Sequence, residues 1–215
     1  MSQLASPIIR QLERCYGHLR TQHPDLPEDI VFIMGQGKTR GGIKLGHFAT
    51  GRWTAKDATK TGEVPEVLIS AEGLAQGGEG VFKTLVHESV HALAFARGVK
   101  ETSRQGRYHN KKFVALAEEL GMHYPHDDPH PTIGWSAVEL NEETIAKNAK
   151  AIERLDEVIS VARDAGAFQE EETKRKPRTV VCVVFADGNE VELTERKYEQ
   201  LESYMSEHTA HWEER

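Results

Sequence analysis

Leu85-Val86-His87-Glu88-Ser89-Val90-His91-Ala92 is the stretch on which the reading of this chain turns. It lies inside Glu79 to Arg97, the clearest helical pattern, where Val81, Leu85, Val90, Leu93 and Ala94 form an apolar stripe and Gly98 suits a C-terminal cap. Within it, H-E-x-x-H places His87 and His91 one turn apart on one helix face. Both imidazoles then reach one Zn²⁺ at ~2.0–2.1 Å. Glu88 stands beside them, placed to take a proton from water at the metal, whose pKa zinc lowers to about 7. The small or apolar neighbours Val86, Ser89, Val90 and Ala92 agree with a buried active-site helix.

A catalytic zinc needs a third protein ligand and an open position. The extended H-E-x-x-H-x-x-G-x-x-H pattern fails, because Ala94 and Arg97 occupy its last two fixed positions. The third ligand therefore comes from a later element. His109 leads the candidates: it opens the next predicted helix, 109–121, and lies 18 residues beyond His91. Glu118 and Glu119 on the same helix are the alternatives.

Further out, residues 4–20 repeat Leu4, Ile8, Leu12, Cys15 and Leu19 at helical steps. Ile30–Met34, Ile43–Phe48 and Val64–Ser70 read as strands of a small antiparallel or mixed sheet. Pro65 puts the last of them at an edge or marks its start. Residues 122–137 form a proline-rich loop holding His123, His126 and His130. A long helix is expected over 141–165, capped by Asn141, with Ile145, Ile152, Leu155, Ile159 and Ala162 as a narrow docking seam. Thr179–Leu193 predicts a hairpin about Asp187-Gly188, and Thr194 caps a final helix. The expected organisation is a metallopeptidase domain over 1–138, a long acidic helix and charged linker over 139–178, and a hairpin-plus-helix appendage over 179–215.

The 215 residues carry 27 Lys and Arg against 34 Asp and Glu, a net charge of −7 that argues against nucleic acid. The sum hides a split. Residues 1–125 hold 16 basic and 13 acidic side chains, and residues 126–215 hold 11 and 21. The basic residues concentrate in 38–60 (Lys38, Arg40, Lys44, Arg52, Lys56, Lys60) and 97–112 (Arg97, Lys100, Arg104, Arg107, Lys111, Lys112). The second segment joins the metal helix to His109, so it borders the cleft. Such cations hold phosphates, and Trp53 beside Arg52 offers a face for an unpaired base. The acidic stretch 139–172, with ten acids against four bases, is expected to cover these clusters.

Other classes fall away. No apolar run approaches the ~18 residues of a membrane span, and the N-terminus does not read as a signal peptide. Two cysteines, Cys15 and Cys182, exclude a disulfide framework and a four-cysteine zinc ribbon. Gly35-Gln36-Gly37-Lys38-Thr39 ends like a phosphate-binding loop, but Phe32 stands where its first glycine belongs and a strand follows, so no nucleotide cofactor is expected.

The chain resembles the SprT-like zinc metallopeptidases, the group of the Spartan-type DNA–protein crosslink proteases. The likeness rests on Val67-Leu68-Ile69-Ser70, Leu85 to Ala92, His109-Asn110-Lys111-Lys112-Phe113 and Ala117-Glu118-Glu119-Leu120-Gly121, and spans roughly residues 5–125. It implies an α+β, zincin-like fold of the minimal gluzincin type. It implies one Zn²⁺ on His87, His91 and His109, with Glu88 as general base, and hydrolysis of peptide bonds in a protein substrate. Single-stranded or damaged DNA is the partner it suggests, in the cytoplasm or on the nucleoid. Tyr108, His123, Tyr124 and His126 are candidates to line the cleft or stabilise an oxyanion. The four-cysteine ribbon that many relatives carry has no counterpart here. A zinc-stabilised DNA- or protein-binding module without proteolysis is the alternative reading.

Overall fold

The structure is a computed structural model that describes residues 4–39, 42–54, 63–164, 180–184, 190–194, 197–200 and 202–203. Arg40 and Lys56 lie outside the described residues, as does the Asp187-Gly188 turn. The chain forms two compact units, Met1–Ala167 and Phe168–Arg215. The fold is α+β. Among the described residues, no helix is long and apolar enough to cross a membrane.

Among its described residues, the first unit contains four α-helices: α1 (Ala5–Gln22), α2 (Gly77–Ala96), α3 (Lys111–Glu119) and α4 (Glu142–Val158). Its sheet has three strands: β1 (Val31–Gly35), β2 (Gly46–Thr54) and β3 (Glu63–Ser70). They are ordered β1-β3-β2, with β1 parallel to β3 and β2 antiparallel to it, so the sheet is mixed. Pro65 therefore lies in the central strand rather than at an edge. The ladder tolerates it because the register shifts there: Ala49 pairs with Glu66, but Trp53 pairs with Val64. The residue without an N–H falls in the break.

One face of the sheet builds the core. Val67 and Ile69 are fully buried with Ile8 and Leu12 of α1 and with Phe82, Leu85, Val86 and Leu93 of α2. Tyr16 meets Phe32 edge-on at 5.4 Å between centroids. Helix α2 is apolar nearly all round because it is wrapped by other elements; the half-open stripe is Lys83, His87 and His91, spaced four residues apart.

From sequence, helix α4 is set in a segment of its own, 139–178, outside the first domain. In the structure it packs against α1 and α2 and belongs to the first unit. Asn141 caps it as expected, accepting from the N–H of Thr144 at 2.7 Å. The seam closes on the core through fully buried Leu155. Asp156 reaches the start of α2 and accepts from the N–H of Gly78 at 2.7 Å. Gly78 must be small: a Cβ there would stand 2.3 Å from the carbonyl oxygen of Ile152. The seam is thus a core contact, and the helix ends at Val158, short of residue 165. In the second unit, Val180–Val184 and Glu190–Thr194 pair antiparallel, as the hairpin reading requires.

Candidate metal centre

His87, His91 and His109 come together, each offering a ring nitrogen within 4.8 Å of the others. The Nε2 atoms of His91 and His109 are 3.1 Å apart. Two ligands ~2.0–2.1 Å from a tetrahedral ion stand about 3.3 Å apart, so the spacing fits one shared metal. Buried Phe113 forms the floor, its ring 4.9, 5.1 and 4.4 Å from those of His87, His91 and His109. That contact explains the H-x-x-x-F spacing physically: one turn of α3 below His109 presents a ring on which all three imidazoles rest.

The sequence placed His109 at the start of a helix. It lies instead in the short strand Tyr108–His109, one residue ahead of Asn110, whose side chain caps α3 by accepting from Lys112 N–H at 2.8 Å. The strand pairs with Thr102–Ser103 on one side. On the other, His109 N–H donates to Ile133 C=O at 3.0 Å and Trp135 N–H donates to His109 C=O at 3.1 Å. Gly134 makes this close approach possible. Its φ is +65°, and a Cβ would stand 2.1 Å from the carbonyl oxygen of His109. The proline-rich loop, read from sequence as a source of cleft residues, therefore holds the third histidine.

The outer nitrogens are also placed. His91 Nδ1 lies 3.0 Å from Glu101 Oε1, and His109 Nδ1 lies 3.3 Å from Ile133 O. Donation from each Nδ1–H fixes the tautomer that leaves Nε2 free to bind a metal. Sequence reading missed Glu101, which stood out only as the single acid in a basic loop.

The electrostatics agree with imidazoles kept neutral. Burial, reinforced by the neighbouring histidines, holds His87 well below the usual histidine range. Burial and the nearby His91 hold His109 at about 4. A neutral imidazole is the form that binds metal. Burial pushes Glu88 upward, against opposing contributions from His91, Lys44 and the Phe48 backbone. Glu88 lies against β2: a Cβ on Gly46 would stand 2.9 Å from Glu88 Oε1.

The other candidates fall into distinct places. Glu119 is held by Arg97 through two bonds of 2.6 Å, which takes it away from the metal-ligand role and neutralises one cation of the 97–112 segment. Exposed Glu118 is not among the clustered ligands. Lys44 is exposed, and its charge acts on His87, Glu88 and His109. Arg104, Arg107, Lys111 and Lys112 are exposed and flank His109 in the chain, with the Arg104 guanidinium 4.5 Å over the Tyr108 ring. Arg52 and the Trp53 indole N–H are both bound to buried Glu66, the latter at 2.7 Å. Lys38 lies in a two-residue ribbon with Ile43. Tyr108 packs against Gly134. Tyr124 donates to Asp128 C=O at 3.1 Å and meets the His126 and Trp135 rings edge-on, and the backbone of His123 pairs with that of Glu139 in a two-residue ribbon.

What the fold and site define is an α+β protein with a three-histidine site able to hold a metal ion. No family model, curated protein or solved structure matches the chain.

Proposed function

We propose that this chain is a zinc-dependent endopeptidase of the SprT-like type, with a zincin-like catalytic domain. The observation that carries the reading is the convergence of three imidazoles on one site that also holds a buried carboxylate, Glu88. Three nitrogen donors suit zinc, which in catalytic sites takes three protein ligands and keeps a fourth position for water. Zinc held there would lower the pKa of water to about 7 and polarise the scissile carbonyl.

The protein's own groups do the rest. His87, His91 and His109 would hold the ion, and Glu101 and the Ile133 carbonyl keep the His91 and His109 rings aligned. Glu88 accepts the proton of the attacking water and delivers it to the departing amine nitrogen. Its burial favours the protonated form, which suits that second transfer. Exposed Lys44, Arg104, Arg107, Lys111 and Lys112 give the surroundings a positive rim. That rim supports a substrate presented on DNA, with single-stranded or damaged DNA as the partner.

Glu88→Gln tests the mechanism. The variant should bind one zinc like the wild type and cleave DNA-bound protein ~10²–10⁴-fold more slowly. Cleavage at the wild-type rate would sink the assignment. Absence of cleavage by wild type, with zinc bound and single-stranded DNA present, would favour a binding module instead.

A further inference from the structure

A second polar site lies between α1 and α4, in a groove of about 320 Å³ that shares no lining residue with the histidine cluster. Its rim carries Arg14 and His18 from α1 and Lys147, Lys150 and Arg154 from α4. Among its described lining residues there is no carboxylate. The spacing is systematic: 14 and 18 are one turn apart, and 147, 150 and 154 follow the three- and four-residue steps of one helix face. Helix α4 is acidic in sum, yet it turns its cations to this side. None of the five rim residues takes part in a described ion pair. Five basic groups outside any described ion pair, around one groove with no carboxylate in its lining, favour an anion there.

The floor adds a second, independent feature. Asn148 is 3% exposed and donates through Nδ2 to Thr144 C=O at 2.8 Å. Its Oδ1 is buried without a donor. Buried acceptors are nearly always satisfied. An anion alone would not satisfy this one, because it brings no donor; a ligand with a hydroxyl or amino group would. The volume is at the lower end for small-molecule pockets. Lys147 and Arg154 are ~10 Å apart along the helix at ~1.5 Å per residue, which spans a phosphate and the sugar or base attached to it.

We propose that the α1–α4 groove binds a phosphate-bearing ligand of nucleotide size, its phosphate among Arg14, Lys147, Lys150 and Arg154 and its donor group on Asn148 Oδ1. A free nucleotide and a nucleotide within a single strand share this chemistry. The site does not depend on the peptidase reading, since no metal ligand takes part in it.

The test is equilibrium binding at low salt to the full chain, with adenosine monophosphate, inorganic phosphate and a short single-stranded oligonucleotide as probes. Either nucleotide-containing probe should bind at least tenfold more tightly than inorganic phosphate. K147E/R154E should weaken that binding at least tenfold while zinc content stays unchanged, which shows that the chain still folds. Asn148→Leu should bring nucleotide binding down to the level of phosphate. Binding of the free nucleotide assigns a diffusible ligand. Binding of the oligonucleotide alone, lost in K147E/R154E, assigns a strand. No binding of any probe overturns the proposal, as does binding indifferent to K147E/R154E or phosphate bound as tightly as nucleotide.

Discussion

Glu101 brings one negative charge into a segment whose neighbours Lys100, Arg104 and Arg107 are positive. Burial acts to raise its pKa, but the hydrogen bond with His91 and further local interactions hold it below the ordinary range. It therefore stays a carboxylate facing Nδ1 of His91, the nitrogen turned away from the histidine cluster. Glu101→Ala should lower zinc affinity ~10–100-fold, the usual effect of removing such an orienting group. Glu101→Gln, which keeps an acceptor oxygen, should recover part of it. Competition with a chromophoric chelator measures both, and an affinity equal to wild type in the Ala variant would remove Glu101 from the site. The sequence made His87 and His91 legible because both sit on one helix, where spacing alone fixes a shared face. It left His109 open against Glu118 and Glu119, because the choice depends on how a loop folds back. Arg97 resolves one part of that choice by taking Glu119, and no local pattern announces such a pairing.

At the scale of elements, α1 to α4 begin within two residues of where their periodicities put them, but the second strand runs Gly46–Thr54 rather than Ile43–Phe48, α4 stops at Val158, and contacts between distant segments did not show. The seam of α4 was visible as Ile145, Ile152, Leu155 and Ile159, but its partner was not. The signal was present in Gly77-Gly78, two residues at the start of α2 that let another backbone come close. Gly78 has both Asp156 N at 2.8 Å and Ile152 O at 2.3 Å from the place where a Cβ would sit. Neither atom is the end of a flexible side chain, so the helices must separate to admit a methyl group. Gly78→Ala should destabilise the fold by ~1–3 kcal/mol, as overpacking does, despite the better helix propensity of alanine. Denaturant unfolding of the metal-loaded chain measures the change. A stability equal to or above wild type would show that α4 does not approach α2 this closely. The same non-local logic hid the clamp on His109: nothing near Gly134 in the sequence says that its neighbours pair with residue 109.

For the whole molecule, placing α4 in the first unit changes the electrostatic account. Cut at residue 125, the chain reads as +3 and −10; cut where its units divide, at Ala167, it reads as −2 and −5. The contrast between a basic half and an acidic half gives way to local groups of cations on a nearly balanced unit. This also decides which truncation is meaningful. A chain ending at Val138 loses Leu155 from the core, the Asp156 contact to α2 and the pairing of Met122–His123 with Glu139–Leu140. Full burial of one such aliphatic side chain contributes ~1.5–3 kcal/mol, and Ile145 and Ile152 pack on the same core. Against a total stability of ~5–15 kcal/mol for a domain, that loss leaves little. A chain ending at Ala167 keeps every one of these contacts. It should melt cooperatively and bind one zinc, whereas the chain ending at Val138 should show no cooperative transition and bind zinc weakly. Thermal melting by circular dichroism, with metal content measured on the same samples, separates the two. A cooperative melt with full zinc content in the shorter chain would mean that α4 is an accessory after all, and that the acidic helix can be removed to ask what it does to the basic rim.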